Sequence, residues 1–129
     1  MSESFESKRA PEPVGAFPHA KRVGNLLFLS GIGPRTRGSN EIPQGIEAQC
    51  HAVFENVRLV LEDAGASWND IVDVTVFLTD MKNDFPVYNR IYPEYFAGPG
   101  KPNPTRTTVE VGALPTPIAI ELKVIAAVA

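Results

Sequence analysis

Cysteine is nearly absent from this chain: Cys50 is the only one in 129 residues. One thiol excludes an internal disulfide framework and any Cys-rich zinc or iron–sulfur centre. An excess of positive charge is missing too. The 12 Lys+Arg against 15 Asp+Glu leave a net charge of −3, so no basic face is available for a phosphate backbone. No apolar run approaches the roughly 18–20 residues that span a bilayer. The first residues, Met1-Ser2-Glu3-Ser4-Phe5-Glu6, carry no apolar h-region, so no secretory signal is expected and the predicted setting is cytoplasmic. Neither a phosphate-binding loop nor a dinucleotide fingerprint occurs. The only histidines, His19 and His51, lack spaced carboxylate companions, so no metal site is expected. What is there is ordinary: 43% hydrophobic and 21% charged residues, the composition of one globular domain. A chain of this size buries roughly two-thirds of its unfolded surface and needs no staples.

Residues 1–13 are polar with Pro11 and Pro13, and read as a flexible tail before a single domain over 14–129. Two short apolar runs flank Gly24-Asn25, which predicts a tight hairpin. Gly31, Gly33, Pro34 and Gly38 then mark a loop lasting to about Pro43. From 44 to 64, Ile46, Cys50, Val53, Phe54, Val57, Val60, Leu61 and Ala64 form one apolar stripe on a long helix, stopped by Gly65. Residues 71–79 are rich in β-branched side chains and read as a strand. A second helix is signalled by Asn83 or Asp84 as cap, with Pro86 in its first turn. Phe85, Tyr88, Tyr92, Tyr95 and Phe96 share its buried face, and Pro93 kinks it or makes its last turn irregular. After the stiff connector of Pro99, Pro102 and Pro104 come strands at 106–111 and 118–126. The order is β-β-α-β-α-β-β, an α+β layer of five or six strands with two helices on one face. Its strands read as apolar on both sides, which predicts a homo-oligomer covering the free face.

Chemistry is best sought where polar groups interrupt strands. Arg106 opens a strand, and Glu121 lies in the most hydrophobic stretch of the chain. A carboxylate there must be paired, hydrogen-bonded or kept protonated. Two readings stand at this level. Either both face solvent or meet at a subunit seam, or an Arg binds a substrate carboxylate beside a proton-handling Glu. Cys50 lies on the apolar stripe, about 100° round the helix from His51, and reads as a buried structural thiol rather than a nucleophile.

Pro104-Thr105-Arg106-Thr107-Thr108-Val109-Glu110-Val111, then Leu114-Pro115 and Ile118-Ala119-Ile120-Glu121-Leu122, resembles the C-terminal signature of the Rid/YjgF family of reactive-intermediate deaminases. Gly15-Ala16-Phe17, Leu29-Ser30-Gly31, Asn56-Val57, Thr75-Val76-Phe77-Leu78 and Tyr88-Asn89 fall in the family's order, so the resemblance covers about 14–127. It implies a chorismate-mutase-like fold, assembled as a trimer around a central barrel of sheets, with an active site between subunits. It also implies cofactor-independent hydrolysis of enamines and imines of small carboxylic acids. By the same resemblance Arg106 clamps the substrate carboxylate and Glu121 activates water. Phe17, Ser30, Gly31 and Asn89 line the pocket, and the backbone at Thr108 touches the reacting group.

Phe17 stands where a tyrosine is common, and Thr108 where cysteine is common. Within the family the resemblance points to members that convert the dicarboxylate 2-aminomuconate to 4-oxalocrotonate and ammonia in bacterial aromatic catabolism. Such a substrate needs a ligand for its far carboxylate; Arg35, Arg37, His19 and Lys101 are the candidates. The rivals are a generalist deaminase of short imines such as 2-iminopropanoate, and a non-enzymatic small-ligand regulator. Whether trimers pair further is left open.

Overall fold

Six strands form one sheet, covered on one face by two helices. The computed structural model describes residues 2–129. In chain order the elements are β1 (Ser2–Phe5), β2 (Ala20–Val23), β3 (Leu26–Leu29), α1 (Ile46–Asp63), a 3-10 turn (Trp68–Asp70), β4 (Ile71–Leu78), α2 (Met81–Phe96), β5 (Thr105–Glu110) and β6 (Ile120–Ala127). The sheet order is β1-β2-β3-β6-β4-β5. Only β4 and β5 run parallel, and α2 is the crossover that a parallel pair demands. No helix among the described residues is long and apolar enough to cross a membrane.

Period two and period 3.6 meet in the core. Val74, Val76 and Leu78 of β4, with Ile120, Leu122, Val124 and Ala126 of β6, are buried against Cys50, Val53, Phe54, Val57 and Leu61 of α1. Tyr88, Ile91, Tyr92 and Phe96 of α2 complete that layer. Gly65 ends α1 as expected. With φ +83° it lets its own N–H reach the Glu62 carbonyl (3.1 Å) while Ala66 N–H reaches Leu61 (2.8 Å), a Schellman stop. The hairpin also forms, with Gly24 at φ 62° in the first central position.

Three expectations differ from the structure. First, α2 begins earlier than Asn83 or Asp84. Asp80 is the cap, its carboxylate accepting from Asn83 N–H at 3.3 Å, and Pro86 falls in the second turn. The helix runs through Pro86 and Pro93 because the residues four back, Lys82 and Asn89, are exposed and water can serve their carbonyls. Second, the face of the sheet away from the helices is mixed rather than apolar. Phe28, Phe77 and Ile125 share it with Asp73, Thr75, Glu121 and Lys123, all half-buried, and no layer of the described chain covers it. Third, the polar start of the chain is built into the sheet. β1 pairs antiparallel with β2, and Ser7 and Ala10 are buried.

The third difference comes from partners distant in sequence. Ser7 N–H donates to His19 Nδ1 (2.9 Å), so that nitrogen carries no proton and Nε2–H donates to the Pro11 carbonyl (2.8 Å). Ser7 Oγ donates to Asp63 (2.6 Å), and Arg37 donates to the carbonyls of Ser7 (2.9 Å) and Ala10 (2.8 Å). His19→Ala would strand the buried Ser7 N–H. It is expected to lower the midpoint of urea unfolding by the equivalent of about 1–3 kcal/mol at unchanged slope; an unchanged midpoint would show that this clasp contributes nothing.

Candidate active site

The singled-out polar residues gather into two groups. The first surrounds Glu121. Its neighbours Ile120 and Leu122 point into the core, so strand alternation turns Glu121 to the open face. Ile32 and Leu122 exchange both backbone hydrogen bonds at 2.9 Å, which pins the loop after β3 alongside β6. Gly31 is thereby pressed against the carboxylate: a Cβ there would lie 2.5 Å from Glu121 Oε2. Only glycine leaves this group room. Ser30 is fixed by its N–H to the His19 carbonyl (3.0 Å) and its Oγ to the Pro18 carbonyl (2.7 Å).

Phe17 stands 41% exposed across from them, on a turn closed by its N–H to the Gly15 carbonyl. Phe17, Ser30, Gly31, Arg35, Thr116 and Glu121 all line one open cleft. Burial raises the Glu121 pKa above the ordinary carboxylate value, and no cation lies within ion-pair distance among the described residues.

The second group surrounds Arg106. Val74 and Val76 face the helices, and Arg106 and Thr108 are their register partners on β5, so both side chains stand on the α2 side. Arg106 Nη1–H donates to Asn89 Oδ1 at 2.9 Å. The guanidinium carbon lies 4.6 Å from the ring centre of Tyr92, 5.3 Å from Tyr88 and 5.9 Å from Phe85. Three aromatic faces thus hold a weakly hydrated cation by cation–π attraction, without a carboxylate to neutralise it. Burial pushes the Tyr92 phenol up to about 12, and its hydroxyl has no hydrogen-bond partner.

These two groups do not meet within one chain. Glu121 pairs with Phe77, and Phe77 with Val109, whereas Arg106 lies three residues from Val109. An odd offset places the two side chains on opposite faces, with β4 between them. Of the far-carboxylate candidates, Arg35 lines the Glu121 cleft, donating to Asn40 Oδ1 (2.8 Å) and the Glu12 carbonyl (2.7 Å). His19 also borders the cleft but is committed to Ser7 and Pro11, and Arg37 is committed to the N-terminal segment. Lys101 borders a different cleft with Trp68 and Tyr95. Cys50 is fully buried, its thiol pushed up to about 12, and His51 contacts the Tyr95 hydroxyl. The aromatic cage was not evident from sequence, where Phe85, Tyr88 and Tyr92 read as core; their spacing of three and four residues was the available signal.

Comparison with known proteins follows the same outline. The family model described as Endoribonuclease L-PSP matches residues 7–128. A RutC family protein of Pyrococcus abyssi is 44% identical over 125 residues, covering 96% of this chain and 95% of that protein. TdcF of Escherichia coli, provisionally named a reactive intermediate deaminase, is 35% identical over 126 residues, 98% of this chain and 97% of its own. A crystal structure of E. coli TdcF with bound serine is similar at a TM-score of 0.91 and 34% identity, spanning 98% of this chain and 99% of that one. RidA from an Antarctic Psychrobacter gives a TM-score of 0.89 at 33% identity over 98% and 99%.

The raised pKa of Glu121 has a measurable effect on stability. The folded chain keeps this proton to higher pH than the unfolded chain, whose value is ordinary, near 4.5. The stabilisation is therefore complete below that value and is lost as pH rises through the folded one. Glu121→Gln, which cannot ionise, is expected to gain stability relative to the parent between pH 4 and pH 7 in parallel urea titrations. A difference that stays flat or reverses would contradict a carboxyl whose pKa burial raises.

Proposed function

This chain belongs to the Rid/YjgF/RutC family, and from that premise we propose that it is a cofactor-independent hydrolase releasing ammonia from imines and enamines of small 2-amino acids. The observation that carries this reading is Glu121: a half-buried carboxyl of raised pKa, in no ion pair among the described residues, facing an open cleft beside Gly31. A carboxyl whose pKa is raised by burial is suited to giving and taking a proton. The name of TdcF and the serine bound in its crystal structure support a substrate of about that size.

Since Arg106 and Glu121 occupy opposite faces, one substrate can touch both only if a second copy supplies one of them. The uncovered mixed face supports that assembly, and a trimer with sites between subunits is the form we propose. An enamine first tautomerises to the imine, its nitrogen losing a proton as C3 gains one. Arg106 of one subunit binds the carboxylate and fixes C2 for attack. Glu121 of the next takes a proton from water as the new C–O bond forms at C2. It then returns that proton to nitrogen, giving a carbinolamine; the same carboxylate passes the new hydroxyl proton to nitrogen, the C–N bond breaks, ammonia leaves and the 2-oxo acid remains. RNA cleavage fits poorly, because a net charge of −3 does not gather a polyphosphate chain.

A second, narrower reading is 2-aminomuconate as substrate, with 4-oxalocrotonate as product. Arg35 favours it. This cation lines the Glu121 cleft and is held by neutral partners, which leaves its charge for a far carboxylate.

Ammonia release from freshly generated 2-iminopropanoate and 2-aminomuconate tests both readings. Glu121→Gln is expected to lower kcat at least ~100-fold, and Arg106→Ala to act mainly on KM. Undiminished turnover in Glu121→Gln would remove its assigned role. Arg35→Gln is expected to lower the preference for 2-aminomuconate about tenfold in kcat/KM, and an unchanged ratio would leave the short imine as the substrate. Silence of the parent protein on both compounds would favour a binding module. If sites span subunits, co-refolding Arg106→Ala with Glu121→Gln should revive activity at about one quarter of sites. Two inactive variants that stay inactive when mixed would show that Arg106 and Glu121 do not act on one substrate across a subunit seam.

A further inference from the structure

Tyr88 and Thr108 bring two hydroxyl groups to the side of Arg106, and the chemistry above uses neither. We infer that Tyr88 is a positioning residue whose hydroxyl holds that of Thr108, so that Thr108 donates a further hydrogen bond to the carboxylate bound by Arg106. The inference rests on the reading of Arg106 as a carboxylate ligand, and adds to it the residues that complete that ligand's shell.

The backbone sets the arrangement. Arg106 pairs with Val74 and Thr108 with Val76, so the two side chains project from the same face of β5. Two residues along a strand separate them by roughly 6.5–7 Å, the span of a small 2-oxo acid beside its anchoring cation. Tyr88 reaches both. Its ring centre lies 5.3 Å from the Arg106 guanidinium carbon, and its hydroxyl oxygen 3.4 Å from Thr108 Oγ1. The residue is fully buried, and a buried phenol needs a partner. Thr108 is half-buried on β5, the edge strand, so one side of its hydroxyl faces Tyr88 while the other stays accessible.

Acidity decides the direction of the bond. A phenol is a far stronger acid than an alkyl hydroxyl, and the cation over its ring strengthens it further as a donor. Tyr88 Oη–H therefore donates to Thr108 Oγ1, which leaves the Thr108 proton free to point outward. At 3.4 Å this bond is long, as hydrogen bonds in unliganded sites often are, and it shortens when a ligand draws on the Thr108 proton. A carboxylate offers about four lone-pair sites, and a bidentate guanidinium fills two. The Thr108 hydroxyl fills a third. No proton changes owner, so the effect falls on binding and leaves turnover nearly untouched.

The test measures binding and catalysis separately. Pyruvate, a 2-oxo acid that does not react, is titrated calorimetrically into the parent protein, Tyr88→Phe, Thr108→Val, Thr108→Ser and the double variant Tyr88→Phe/Thr108→Val. Steady-state rates on 2-iminopropanoate are measured beside them. Tyr88→Phe and Thr108→Val should each weaken pyruvate binding and raise KM about fivefold, with kcat within twofold. Thr108→Ser should recover most of what Thr108→Val loses. The double variant should match Thr108→Val alone, because Tyr88 acts only through Thr108.

Unchanged binding in Tyr88→Phe, or losses that multiply in the double variant, would overturn the inference. Tyr88→Phe and Thr108→Ser decide the matter should Thr108→Val fail to fold. Pyruvate binding without deamination by the parent protein would sink the enzymatic reading and leave this inference to be decided by the titrations. Failure of the parent protein to bind pyruvate would overturn the inference itself.

Discussion

Strand alternation governs this molecule. A β-strand sends successive side chains to opposite faces, and β4, β5 and β6 each spend one face on the helices. Everything polar on β6, Glu121 and Lys123 included, is thereby forced onto the uncovered face. β5 is the outermost strand, so its helix-side residues lie at the rim of the core. There Arg106 can rest on aromatic rings and still reach solvent. One geometric rule thus yields a carboxyl on one face and a guanidinium on the other. It also explains why a single chain carries two separate halves, a carboxyl beside a cleft and a guanidinium in an aromatic cage.

The two halves handle charge in opposite ways. Arg106 is stabilised as a cation by the rings of Phe85, Tyr88 and Tyr92 and by Asn89, all of which leave its positive charge unneutralised. A neighbouring Asp or Glu would hold it more tightly and would compete with an incoming carboxylate. Glu121 is instead destabilised as an anion, because burial is uncompensated by any ion pair. This arrangement sacrifices some stability at neutral pH on the carboxylate side.

Much of the fold was legible in the sequence because its signals are local. The apolar stripe of α1, its Gly65 stop, the Gly24 hairpin and the alternation of β4 all depend on neighbours within a few residues. The N-terminal strand was not legible. It depends on His19, Asp63 and Arg37, whose distance from Ser7 no local pattern records. The start of α2 was misplaced because three cap-forming residues, Asp80, Asn83 and Asp84, precede the same apolar face. At the site, Glu121 and Arg106 stood out as polar interruptions of strands. Their placement on opposite faces follows only from the register of β4 with both neighbours. The aromatic cage was hidden because rings that hold a cation and rings that fill a core obey the same helical spacing.

The segment tied down by His19 and Arg37 runs on through Pro11, Glu12, Pro13 and Val14, which form one wall of the Glu121 cleft. The opposite wall comes from Pro115, Thr116 and Ile118, just ahead of the last strand. The cleft is therefore assembled from segments far apart in sequence. On the ribosome the first wall is made early and has nothing to close against until residues 115–118 have emerged. A nascent molecule that has not yet reached them has one wall and no cleft. The space beside Glu121 is thus shaped late, by a contact that no local folding step can bring about.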